Sequence, residues 1–324
     1  MKHFVITGGA GFIGSHLIRT LLEQSPSLKI TCIDNLDPFY SPAIKLQNVN
    51  EFKQHPLFRF LLFDIAKSSS SDLEKLINEP VDVIIHLAAK AGIRPSIANP
   101  LLYQETNITG TQNLLQFASA KNCKQFIFAS SSSVYGANKN LPWCENEPLL
   151  PISPYAMTKL SGEMLGHVHH HLYGSQFIAL RFFTAYGPGQ RPDLAIHKFI
   201  KSIDADEPIC FFGNGNSNRD YTYVADIVQG VIAAIDYNKS GFEIINLGNN
   251  DAITLQQLVN KIELVMNKKA KINYLPEQPG EVHSTFADNT KAKVLLGYQP
   301  KMKLKNGLQL FYDWYVTNRD VLNS

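Results

Sequence analysis

Tyr155 and Lys159 stand four residues apart in the segment YAMTK (155–159). On a helix that spacing puts both side chains on one face. A phenol ordinarily titrates near ~10; an ammonium beside it stabilises the phenolate and brings it toward neutral pH, which makes a general base. A solvated helical pair would carry the same two residue types, so the pair needs company. Four hydroxyls, Ser130, Ser131, Ser132 and Ser133, follow an apolar run 22 to 25 residues upstream. Strand ends in open α/β sheets point into the ligand crevice, so such a cluster would share the tyrosine's space.

A second constellation opens the chain. The segment TGGAGFIG (7–14) contains GxGxxG at Gly9, Gly11 and Gly14, and GxxGxxG at Gly8, Gly11 and Gly14. Glycine permits the sharp turn and the close approach of backbone to a pyrophosphate. Phe12 and Ile13 open the helix whose N-terminal N–H groups would face it. Asp34 lies 20 residues beyond Gly14, at the end of the next apolar run. A carboxylate there accepts both ribose hydroxyls and repels a 2′-phosphate, so NAD is the expected cofactor. Asp64-Ile65, after the third apolar run, admits two readings: an adenine contact or a helix N-cap.

These groups need a frame. Apolar runs at 4–6, 29–33, 58–63, 81–87, 125–129 and 177–181 read as strands, with helical patterns such as 13–23 and 109–121 between most of them. Such alternation means parallel pairing, because each crossover needs a dozen or more residues to return. The expected fold is α/β: a doubly wound parallel (Rossmann) sheet with a smaller mixed C-terminal lobe. After about residue 183 glycine and proline become frequent and the alternation turns irregular; 242–247 reads as one more strand, rejoining the main sheet. The serine tract 68–71 reads as a loop.

The 324 residues are 44% hydrophobic and 18% charged with a net charge of +2, a globular balance without the basic block that a nucleic-acid partner needs. Cys32, Cys123, Cys144 and Cys210 lack CxxC spacing and read as reduced thiols. No stretch is long and apolar enough for a membrane span, and the opening MKHFVIT is too short for a secretory h-region, so a cytoplasmic protein is expected. His167, His169, His170 and His171 read as a solvated helix face: His167 and His171 have a zinc-compatible spacing but no matching third ligand, and no metal is expected. His86 is expected to satisfy backbone groups near the cofactor, and Trp143 and Cys144 to lie in a loop over the site.

With TGGAGFIG, Asp34, HLAAKAG (86–92), NITGTQNLL (107–115), SSSSVYG (130–136), YAMTK and RDYTYVAD (219–226) in that order, the chain resembles the extended short-chain dehydrogenase/reductase family over nearly its whole length. The resemblance implies that Tyr155 is the general base, Lys159 its charge partner, and Ser131, four residues before Tyr135, the hydroxyl that holds the reacting oxygen. It adds Asn35, Leu87, Ala88 and Ala89 to the cofactor contacts. It assigns 1–182 plus about 221–250 to NAD binding, and 183–220 with 251–324 to a nucleotide-sugar-binding lobe.

Dehydratases and uronate decarboxylases of the family carry an acid immediately before the VYG element, where this chain has Ser133; that favours a 4-epimerase working through a transient 4-keto sugar. TAYGPGQRPD (184–193) resembles a segment of UDP-glucuronate 4-epimerases, which implies that Thr184 and Arg191 lie near a C6 carboxylate, with Ser132 and Ser133 lining the sugar site. Arg94 is a further candidate for that carboxylate. A surface salt bridge or a loop brace is the alternative for each arginine. Arg219 resembles the family's pyrophosphate-binding arginine, and Glu281 the acid that meets the uridine ribose. The expected substrate is a UDP-hexuronic acid (UDP-glucuronate/UDP-galacturonate). The alternatives are a UDP-glucose/galactose (or N-acetyl) 4-epimerase and a catalytically silent NAD-binding scaffold or redox sensor. A homodimer through the helices carrying NITGTQNLL and YAMTK is implied by the resemblance.

Overall fold

The structure, a computed structural model, describes residues 1–239, 241–276, 280 and 282–323. Its strands are β1 (His3–Thr7), β2 (Lys29–Asp34), β3 (Phe58–Leu62), β4 (Val83–His86), β5 (Gln125–Ser131), β6 (Gln176–Phe182), β7 (Thr184–Tyr186), β8 (Ile209–Phe212), β9 (Asn218–Tyr223), β10 (Phe242–Leu247), β11 (Ala252–Thr254) and β12 (Ile272–Leu275). Seven form one sheet in the order β3-β2-β1-β4-β5-β6-β10, and every pairing in it is parallel. The order reverses between β1 and β4, the place where such sheets open a ligand crevice.

All six apolar runs of the first half are strands of this sheet, and 242–247 is its edge strand β10, beside β6. The fourth starts later than its apolar run; just before it the Asp82 carboxylate accepts the His3 N–H at 2.7 Å and the Asp82 N–H donates to the His3 carbonyl at 2.9 Å. Alternate residues face opposite cores: Ile6, Ile85 and Ile127 join one cluster, while Val5, Ile84, Phe126 and Phe128 join the other. Burial of both faces explains why these strands read as continuous apolar runs.

The helix Pro154–Tyr173 carries Tyr155 and Lys159. Ser153 caps it by accepting the Ala156 N–H at 3.1 Å, Pro154 occupies its first turn, and Gly174, at φ 69°, ends it in the left-handed region. Gly162 and Gly166 let it lie close on the sheet: a Cβ there would stand 2.3 Å from Phe128 and 2.1 Å from Phe177.

The serine tract 68–71 is not simply a loop. Ser69 caps the helix Ser70–Leu76 reciprocally with Asp72, so Ser-x-x-Asp acts as a capping box. Beyond β6, the chain builds a three-stranded sheet in the order β11-β9-β7 and the pair β12-β8. β9 runs antiparallel to β11 and parallel to β7. Phe12, expected at the cofactor, has its buried side chain in the same apolar cluster as Tyr186, Tyr223 and Val224, under these strands.

Candidate active site

The glycine segment turns at the end of β1 and presses on the segment after β4. Gly8 has φ 71°, and a Cβ on it would meet the Ala88 backbone nitrogen at 2.6 Å; a Cβ on Gly14 would meet the Gly8 carbonyl oxygen at 2.4 Å. The helix Phe12–Gln24 starts at Gly11 without a side-chain cap, so its first N–H groups are left for an anion. Leu87 and Ala88 are tied to Thr7, by a backbone bond of 3.0 Å and a hydroxyl contact of 3.3 Å; Ala89 follows, half-buried.

Asp34 closes the other side. It accepts the Ala10 N–H at 3.2 Å and the Leu36 N–H at 2.9 Å, and burial pushes its carboxyl up despite those bonds and Lys45. Asn35 donates to Asp64 at 3.0 Å. The other Asp64 oxygen accepts from Ala66 and Lys67 at 2.9 and 3.2 Å, so Asp64 caps a single turn and not a helix. The Ile65 side chain is buried in the core beneath Gly110. Glycine-only backbone, an uncapped helix start and a carboxylate at the end of β2 fit a dinucleotide.

At the end of β5 Ser131 lies by the phenol of Tyr155 and favours its ionised form, against burial. Ser131 accepts the Ser133 hydroxyl at 2.9 Å and the Ser133 N–H at 3.2 Å, which links those two hydroxyls; Ser132 lies buried in the turn between them. Lys159 is buried, donates to the Ala129 carbonyl oxygen at 2.6 Å and stands 5.0 Å over the Phe128 ring. Burial pushes its ammonium down to about 7, against the support of Glu163. Burial raises the proton affinity of Tyr155, and the opposing influences are Ser131 and then Arg191.

Two histidine expectations also change. The His86 ring sits between the Thr7 and Thr111 hydroxyls at 2.7 and 2.9 Å, not on backbone groups. Burial, with Lys159 adding to it, pushes it to about 3 and so keeps it neutral. In the histidine row, His167 and His171 are exposed, but His169 is buried between the Ser119 and Ser175 hydroxyls at 3.0 and 2.9 Å. Among the described residues, no group of three or more His, Cys, Asp or Glu could hold a metal ion.

The expected substrate residues divide. Thr184 begins β7, in register with Tyr221. Arg191 places its guanidinium 5.4 Å over the Phe39 ring, and its charge reaches Tyr155 and Tyr103. Its fork is held by Asp193 in a bidentate pair of 2.9 and 2.8 Å. Arg94 stacks 4.0 Å over Phe212 at the end of β8. Arg219 donates to the carbonyls of Asn218 and His283 at 2.8 and 3.1 Å. Glu281 lies outside the described residues.

Residues not singled out from sequence complete the site. Asn107 stands in a π-helical turn, Glu105–Thr109. Its side chain accepts the Lys90 N–H at 2.8 Å and donates to the Lys90 carbonyl and the Thr158 hydroxyl, both at 2.9 Å. It thereby locks the segment after β4 to the helix of Tyr155. Its signal was its place in NITGTQNLL. Behind Lys159, Glu163 pairs with Arg181 in the interior. A cavity of about 630 Å³ opens at the opposite ends of the strands, lined by Lys2, Asp82, Lys124 and Gln176, and holds none of the candidate residues.

Residues 5–311 match the family profile described as GDP-mannose 4,6 dehydratase. The UDP-glucuronate 4-epimerase of Thermodesulfobacterium geofontis is 39% identical over 100% of this chain and 99% of its own length. A crystal structure of the Bacillus cereus UDP-glucuronic acid 4-epimerase, in complex with UDP-glucuronic acid and NAD, superposes with a TM-score of 0.92 at 36% identity over 97% of this chain and 99% of that one. The Methanobrevibacter ruminantium UDP-N-acetylglucosamine 4-epimerase, in complex with UDP-N-acetylmuramic acid, does so at 0.89 and 33% identity over 98% and 99%. The chain belongs to the extended short-chain dehydrogenase/reductase family that this profile describes, the family of NAD-dependent nucleotide-sugar epimerases and dehydratases.

Proposed function

We propose that the protein is an NAD-dependent 4-epimerase of a UDP-hexuronic acid, interconverting UDP-glucuronate and UDP-galacturonate. The grouping of Tyr155 with the hydrogen-bonded Ser131–Ser133 pair at the end of β5 carries this reading: it offers a base and an oxygen-holding hydroxyl, and no carboxyl at residue 133. Elimination and decarboxylation need a further proton transfer after oxidation; epimerisation does not. Full-length similarity to UDP-glucuronate 4-epimerases supports the choice of sugar.

The glycine segment, Asp34, Asn35, Asp64 and the backbone of Leu87–Ala89 would hold NAD, which supplies a reversible hydride acceptor. Ser131 positions the sugar's O4. Tyr155 takes the O4 proton as carbon 4 becomes a ketone, and returns it once the ring has turned to present its other face. Lys159 contributes positive charge beside the reacting oxygen. Thr184, Ser132, Ser133 and Arg191 would hold the C6 carboxylate, and Arg94 and Arg219 the rest of the nucleotide sugar. A fixed carboxylate matters because a 4-keto uronate is a β-keto acid that loses carbon dioxide when its C–C bond stands perpendicular to the carbonyl. Residues 1–182 with about 221–250 form the cofactor part in this reading, and 183–220 with 251–324 the sugar-nucleotide part.

One observation favours a second reading. Asp193 already occupies the Arg191 fork, as would suit a neutral sugar such as UDP-glucose. Incubation of the purified protein with UDP-glucuronate and catalytic NAD separates the two: UDP-galacturonate without pentose supports the hexuronate. Turnover of UDP-glucose alone moves the assignment to a neutral-sugar 4-epimerase.

We further infer a homodimer working in the cytoplasm. Met164, Val168 and Leu172 form an exposed apolar row along the helix Pro154–Tyr173 at the spacing of one helix face. The four cysteines are free, which suits a reducing compartment.

A further inference from the structure

Glu163 lies one turn beyond Lys159 on the same helix face. It is fully buried, and three donors fix its carboxylate. Oε1 accepts the Ser130 hydroxyl at 2.5 Å and Arg181 Nε at 2.9 Å; Oε2 accepts Arg181 Nη2 at 2.8 Å. The buried Arg181 spends its remaining nitrogen, Nη1, on the Tyr135 hydroxyl at 2.9 Å and the Glu145 carbonyl at 3.3 Å, with its guanidinium 4.8 Å over the Tyr135 ring.

The pair is therefore directional. Its carboxylate shares a helix face with Lys159, and its guanidinium extends from β6 toward an aromatic ring and a carbonyl. We propose that Glu163, held by Arg181 and Ser130, is a positioning residue that keeps the Lys159 side chain an ammonium.

The surroundings show why one is needed. Lys159 shares a helix face with Tyr155 and Glu163, donates to the Ala129 carbonyl and stands over the Phe128 ring on β5, and faces neutral His86 on β4; Arg181 stands on β6 behind Glu163. Glu163 is the acidic group whose charge supports the ammonium, and burial opposes it. Replacing a buried pair by matched neutral groups is often tolerated, whereas breaking it leaves one charge unpaired.

The inference rests on the proposed role of Lys159, but its test needs no turnover. In full-length protein labelled with [6-¹³C]lysine, the resonance lost in Lys159→Met identifies Lys159, and its titration midpoint is followed by NMR. Glu163→Gln/Arg181→Gln removes both charges together and leaves no unpaired ion. The midpoint is expected to fall by at least about one pH unit, a tenfold loss of proton affinity; an unchanged midpoint overturns the proposal. Ser130→Ala, a mild change, strips a donor from the carboxylate and is expected to move the midpoint upward; no movement, or a fall, counts against it. Failure to epimerise UDP-glucuronate would overturn the proposed function while leaving this titration able to decide the role of Glu163.

Discussion

The Nζ of Lys159 donates to the Ala129 carbonyl oxygen at 2.6 Å, so the lysine reaches into the end of β5 and not to the phenol one turn before it. Ser131, two residues further along that strand, is the first influence opposing burial at the Tyr155 phenol. Lys159 is thus fastened to β5, beside the strand end where Ser131 lies by Tyr155.

Burying this lysine costs stability. Its ammonium titrates at about 7 in the folded protein against 10.5 for a free lysine. Between those values the unfolded chain binds the extra proton, so stability rises with pH across that window and the full penalty stands below pH 7. Lys159→Met is expected to raise Tm at pH 6 by on the order of 5 °C, with the gain shrinking toward pH 10, while turnover collapses. Calorimetry across that range checks it; a variant less stable than wild type at pH 6 contradicts the buried-charge argument.

Asp34 presents its carboxylate where a ribose would lie and also accepts the Ala10 N–H of the glycine segment. Asp34→Ala is expected to weaken NAD binding by about tenfold or more, from the loss of charge-assisted hydrogen bonds, and to narrow the gap between NAD and NADP. Fluorescence titration with both dinucleotides reads this; NAD affinity equal to wild type would remove Asp34 from the cofactor site.

Arg191 and Asp193 are already a bidentate pair, so a substrate carboxylate must compete with Asp193. Asp193→Asn is expected to lower KM for UDP-glucuronate. Arg191→Ala should raise it about tenfold or more, as for a charged hydrogen-bonding partner, while leaving KM for UDP-glucose nearly unchanged. Equal effects on both sugars would make the pair a loop brace.

Gly162 lies where the helix of Tyr155 and Lys159 faces Phe128 of β5. Gly162→Ala gains up to about 1 kcal/mol of helix propensity, but its Cβ would stand 2.3 Å from the Phe128 ring, and overpacking of that kind costs about 1–3 kcal/mol. Net destabilisation in urea is expected, with a fall in kcat because the Phe128 ring also underlies Lys159. A variant more stable than wild type would show the helix free to shift.

What could be read from the sequence was local. The glycine spacing, the run of Ser130–Ser133 and the four-residue step from Tyr155 to Lys159 each lie within one stretch of chain, and the continuous apolar runs reported strands covered on both faces. Glu163, Arg181 and Asp193 were not legible as partners, because their pairings depend on which strand lies under which helix and on how one loop folds back. The π-turn that presents Asn107 leaves no periodic signal. The histidine row misled for the same reason: exposure of His169 depends on Ser119 and Ser175, one of them from another helix.

The most direct test is turnover of UDP-glucuronate in deuterium oxide, with the product's ring hydrogens assigned by NMR. Epimerisation with return of the same hydrogen predicts UDP-galacturonate that keeps protium at carbons 4 and 5. Deuterium at carbon 4 would show hydrogen arriving from solvent, and deuterium at carbon 5 would reveal proton transfer of the elimination type; either result contradicts the assignment.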